Sequence, residues 1–128
     1  MGAVRLCPDE WIARLLTDST DIAERDRLRD PVESIQWELA QDLLRTGIDV
    51  ILENGFWSRE ERDRYRAQAE AIGATTRLIY LAVDREELWR RLDARNRDLS
   101  PDTFAVSREE LDSWWAMFEP PGEDELAR

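Results

Sequence analysis

The residues best equipped for chemistry stand just after two apolar runs. Asp9, Glu10 and Trp11 follow AVRLC (3–7), and Glu53, Asn54, Phe56 and Trp57 follow IDVIL (48–52). Carboxylates and aromatic side chains released together at two strand ends describe one ligand crevice. Taken singly, each end has a plainer reading, with Asp9 and Glu10 capping a helix N-terminus and Trp11 and Trp57 filling a core. Arg91 and Arg95 form a third group. At ~100° per residue they lie side by side near the Leu88/Leu92 face, where two guanidinium groups repel unless an anion lies between them. A bound phosphate chain would serve, and so would Asp93 or the carboxylates of the C-terminal tail. Arg90 needs no such partner, because Glu86 precedes it by four residues; Glu87 stands in the same relation to Arg91.

The elements that must position these residues alternate along the chain. AVRLC is a short strand running into the helical PDEWIARLL, and IDVIL is a second strand. Between them, DPVESIQWELAQDLLRTG (30–47) reads as a helix with Asp30 as N-cap, Pro31 at the first helical position, Glu33 closing a capping box and Gly47 as terminator. Its apolar stripe is Val32, Ile35, Leu39 and Leu43. Ser58 and Glu61 open a helix over 58–73, TRLIYLAV (76–83) is a strong strand, Asp84 and Glu87 open a helix over 84–96, and Ser107 and Glu110 open one over 107–118. Strand, helix, strand, helix, strand, helix predicts an α/β fold with a short parallel sheet, whose ligands sit at the carboxyl ends of the strands. Residues 1–118 read as one domain, and 119–128 as a loose polar tail.

Composition removes several chemistries. Every one of the 18 basic residues is Arg, so there is no imidazole base, no Schiff-base lysine and no lysine of a phosphate loop. The lone Cys7 cannot close an intramolecular disulfide and reads as a small apolar residue. Against 29 acids the net charge is −11, which repels polyphosphate backbones and disfavours nucleic acid as a partner. No stretch approaches the ~20 apolar residues of a membrane span, and no charged-then-apolar leader is present, so a cytoplasmic protein is expected.

PDEW (8–11), VESIQWELAQDLLRTGIDVILENGFWSREERDRYR (32–66), RLIYLAVDREELWRRLDARN (77–96) and FAVSREELDSWWAMFEPP (104–121) resemble, in order and spacing, the bacterial P-loop kinase-like ATP-binding proteins of the AAA-family ATPase type, akin to zeta toxin and chloramphenicol phosphotransferase. The resemblance implies a three-layer P-loop NTPase sandwich that transfers the γ-phosphoryl of ATP, with Mg2+, to a hydroxyl on a small molecule. It makes Asp9 the carboxylate that orients and deprotonates the acceptor, and gives Glu53 the strand-end position that holds magnesium through water. Arg91 and Arg95 become the arginines that neutralise the transferring group, while Trp11, Asn54, Phe56, Trp57 and Arg59 line the acceptor pocket. The sequence departs from the family in holding no G-x-x-x-x-G-K-[ST], and without Lys it holds no disguised form of it. The expectation is a truncated member lacking the first strand and P-loop helix, with ATP not bound productively. The alternatives are a non-catalytic ligand-binding or regulatory pseudokinase and a structural remnant without a ligand. In the family the absent strand lies between 48–52 and 76–83, so these two strands should pair with each other or drive self-association through their edges.

Overall fold

A computed structural model describes residues 2–99 and 103–126. The chain divides into two compact units, one built from residues 1–54 and 94–105 and the other from 55–93 and 106–128. Among the described residues no helix is long and apolar enough to cross a membrane.

The first unit is a mixed α/β assembly. Strand β1 (Val4–Leu6) runs straight into helix α1 (Pro8–Leu15), where Pro8 occupies the first turn and so forfeits no hydrogen bond. A long helix α2 (Ile22–Arg45) then returns the chain to strand β2 (Val50–Leu52). The strands are parallel, with Val4 opposite Val50, Arg5 opposite Ile51 and Leu6 opposite Leu52. α1 packs on α2, and Leu6, Ile12, Val32 and Ala40 are buried.

Two expectations about α2 need correction. The helix starts at Ile22, not Pro31: Asp21 is the N-cap, and its Oδ1 accepts the Glu24 backbone N–H at 3.0 Å. Asp30 and Pro31 fall in the helix interior. A proline there removes one donor and costs roughly 3 kcal/mol, but the added turns bury Arg25, whose guanidinium lies 4.9 Å from the centre of the Phe104 ring. The buried stripe is also rotated from the expected one. Val32, Gln36 and Ala40 face inward, while Ile35 and Leu39 are exposed. The small Ala40 allows close approach that the larger apolar residues of the neighbouring row would block. Gly47, at φ 84°, terminates the helix as expected, in a left-handed conformation that favours glycine.

The second unit contains α3 (Arg59–Ala71), most of α4 (Arg85–Asn96), α5 (Arg108–Met117) and a short α6 (Glu123–Leu126). Caps predicted at Ser58, Asp84 and Ser107 all form, with the backbone N–H of Glu61, Glu87 and Glu110 donating to them at 3.1, 2.9 and 3.1 Å. The full reciprocal capping box closes at Ser107 and Glu110.

The strand expected over 76–83 does not form. The run shows strand-like alternation, with Leu78 and Tyr80 half-buried and Ile79 and Leu81 outward, but the sheet contains only β1 and β2. The period of two is written in the side chains, whereas a strand also needs a neighbour for its peptide groups. The tail, expected to be loose, instead forms α6, and Glu125 is 2% exposed.

Candidate functional site

At the carboxyl ends of β1 and β2 the first unit gathers three carboxylates and two arginines. Arg5, which the sequence reading passed over, lies at the centre. Its Nε and one terminal nitrogen hold the two oxygens of Glu53 at 2.5 and 3.0 Å, and its other terminal nitrogen reaches Glu10 at 2.9 Å. The parallel register explains the meeting: Leu6 is opposite Leu52, so Glu53 emerges beside the end of β1, and its N–H donates to the Leu6 carbonyl at 2.9 Å. These two acids push the Arg5 guanidinium still further toward its charged form, chiefly through the hydrogen bonding that Arg5 donates to Glu53.

Asp9 sits in the first turn of α1, where the helix dipole favours a carboxylate, and receives Arg29 of α2 at 2.8 Å. Its side chain is still 53% exposed, so one face is open to solvent or to a ligand. Trp11 is half-buried on the same helix, and Cys7 directly before it has its thiol pushed up by burial. Asn54 is half-buried at the end of this segment. Arg95 belongs to this unit too and donates to the Phe104 carbonyl at 3.3 Å.

The second unit holds Phe56, Trp57, Arg59 and Arg91. The aromatics are engaged in packing. The Phe56 ring meets Tyr65 edge-on at 5.0 Å, and Trp57 lies 5.6 Å from Trp114. Gly55 makes this possible, because a Cβ there would fall 1.8 Å from the Trp57 indole nitrogen. Phe56 itself has φ 47°, an uncommon backbone state for a bulky residue. Arg59 is committed to α6, with two nitrogens on the Asp124 carboxylate at 3.1 and 2.6 Å and Nε on Asp63 at 3.2 Å. Arg91 pairs with Glu87 at 3.1 Å as the spacing predicted. Arg90 also turns to Glu87 rather than Glu86, because Glu86 is taken by Arg108. Arg90 and Arg91 therefore share the Glu87 carboxylate, instead of each holding its own acid four residues earlier. An open depression of about 450 Å³ on α4 is lined by Asp84, Glu86, Glu87, Trp89, Arg90 and Asp93. Four of those six are acids, so it repels phosphate.

The sequence reading also missed the pair of Arg62 and Glu125. Both are buried, they meet at 2.7 and 3.3 Å, and Arg62 further donates to the Phe56 carbonyl at 2.7 Å. The available signal was weak: an arginine one turn into a capped helix and an acidic stretch near the C-terminus look like solvated surface.

A family described as an AAA domain matches residues 1–121. The chain thus belongs to that family, which is P-loop NTPase-like and points to a nucleotide-binding, kinase- or ATPase-like function. No curated protein and no solved structure matched it.

ATP and magnesium, which such a family implies, can be tested against the donor set present. Both Glu53 oxygens are held by Arg5, and no group of three metal-ligating side chains exists among the described residues. No lysine is available. None of the glycines forms a tight cradle for an anion: a Cβ at Gly2, Gly47 or Gly73 would meet open space, while Gly55 and Gly122 are covered by the side chains of Trp57 and Asp124. The residues present do not fit a magnesium-bound triphosphate.

Proposed function

We propose that this chain supplies the acceptor side of an ATP-dependent phosphotransferase, binding a hydroxyl-bearing small molecule at Asp9 without itself turning over ATP. One observation carries the reading: the ends of two parallel strands deliver carboxylates to one place, bridged by Arg5, in a member of a nucleotide-binding family. Asp9 is the carboxylate best suited to accept a proton, because it keeps about half its surface exposed and has a single arginine contact at 2.8 Å. Arg29 holds it in orientation, as the role of a general base requires. Arg95 is the cation of α4 assigned to the same unit, whereas Phe56, Trp57 and Arg59 support the packing of theirs.

A non-catalytic binding role has its own support in Glu53, which is clamped at both oxygens and so is not poised for a metal. Two measurements test the acceptor reading. With Mg2+ and ATP, the chain should show no phosphate release above background, since positioning and charge stabilisation supply nearly all phosphoryl-transfer catalysis. Turnover that disappears in Asp9→Asn would overturn the claim of inactivity. In a thermal-shift screen of sugars, nucleosides and aminoglycosides, at least one hydroxyl compound should stabilise the wild type and lose that effect in Asp9→Asn. Ligand shifts unchanged by this substitution, or none at all, would remove the acceptor assignment.

A further inference from the structure

The run 76–83 has the side-chain order of a strand and none of its hydrogen bonds. It contains no turn, bend or helix. On one face, Thr76, Leu78 and Tyr80 are half-buried, and the Tyr80 ring lies 5.8 Å from that of Phe118, which seats this face within its own unit. On the other, Ile79 is 71% and Leu81 82% exposed. Between Thr76 and Val83, no backbone N–H or carbonyl bonds to another backbone group among the described residues. A straight, apolar segment with open peptide groups is a template for another strand.

We propose that two copies of this chain pair antiparallel through residues 77–83. Charge sets the direction. Arg77 is the one charge in the run, while Asp84, Glu86 and Glu87 stand just past its other end. An antiparallel pair brings the basic end of each copy to the acidic end of the other, whereas a parallel in-register pair would set Arg77 against Arg77. Side-chain parity sets the register. Pairing centred on Tyr80 places Ile79 opposite Leu81 of the second copy and Leu81 opposite its Ile79, with all four outward residues on one face. The two most exposed large apolar residues of the second unit thereby cover each other. The two-fold arrangement makes this interface self-complementary, each copy presenting the same edge to the other. A short strand pair buries little area, which makes the dimer a weak one.

Sedimentation equilibrium of the full chain, from about 1 µM to about 500 µM at moderate salt, should show a monomer passing into a dimer. Leu81→Lys and Ile79→Lys should each weaken dimerisation by about tenfold or more while leaving the far-ultraviolet circular dichroism unchanged. Each substitution also makes the chain less negative, which would ease general repulsion, so weaker association would be specific to the strand. Register is read separately in a Cys7→Ser background. A mixture of Ile79→Cys and Leu81→Cys should form the mixed disulfide faster than either variant forms its own. A chain that stays monomeric throughout, a dimer indifferent to both lysines, or preferential self-crosslinking of Ile79→Cys would each overturn the proposal. The crosslinking rates decide the matter should a lysine variant fail to fold.

Discussion

Glu125 is a buried acid whose partner is equally buried, and this makes it the residue most exposed to substitution. Removing one member of a buried ion pair leaves the other charge unsatisfied, so Glu125→Gln should destabilise the protein by about 3 kcal/mol in urea unfolding. Arg62→Met together with Glu125→Leu should recover much of that loss, because an apolar pair strands no charge. The hydrogen bond from Arg62 holds the Glu125 carboxyl below its ordinary value of 4.5. A folded-state value below the unfolded one means that the unfolded chain binds the proton more readily, so acid favours unfolding. The stabilisation is complete above 4.5 and is lost as pH falls through the lower folded value. Wild type should therefore lose stability more steeply than Glu125→Gln between about pH 6 and about pH 3, and parallel slopes would show that the pair does not titrate as described. The candidate site was only partly legible in the sequence. Asp9 and Glu53 could be placed at strand ends because an apolar run stops there. That Glu53 would be consumed by Arg5 could not be read, since it depends on the register that sets Leu6 opposite Leu52.

At the scale of elements, local rules succeeded wherever the stabilising partner lies within a few residues. The Ser58, Asp84 and Ser107 caps each join groups three residues apart, and all three form. The start of α2 shows two local rules in competition. Asp30-Pro31 and Asp21-x-x-Glu24 are both plausible openings, and the earlier one prevails because its turns bring Arg25 onto Phe104, far along the chain. Asp21→Ala should accordingly cost about 1 kcal/mol, the usual worth of an N-cap, whereas Asp30→Ala should change stability by less than about half that. The reverse ranking in thermal or urea unfolding would place the helix start at Pro31 after all. The run 76–83 failed for the opposite reason. Its alternation is local and readable, but strand formation is a property of two segments, and no pattern within one segment reports whether the other is present.

Across the whole molecule, charge is the most uneven property. A net charge of −11 on 128 residues means that the folded chain concentrates like charges that the unfolded chain spreads apart. Salt then acts in two directions. It weakens the many surface pairs, among them Arg45 with Asp42 and Arg91 with Glu87, each worth about 0.5 kcal/mol or less at such spacing. It also screens the repulsion among the excess acids, which extends over distances comparable to the Debye length, about 30 Å at 0.01 M and about 8 Å at 0.15 M. The pairs operate at contact distances, well inside either length, whereas the repulsion acts across separations that lie between the two. Screening therefore relieves more repulsion than attraction, and the thermal midpoint should rise when sodium chloride is increased from about 0.01 M to about 0.15 M. The buried pair of Arg62 and Glu125 is shielded from this screening, so Glu125→Gln should show the same rise from a lower starting midpoint. A midpoint that falls with salt in both proteins would mean that the surface network, not the excess of acids, dominates the electrostatics of the fold.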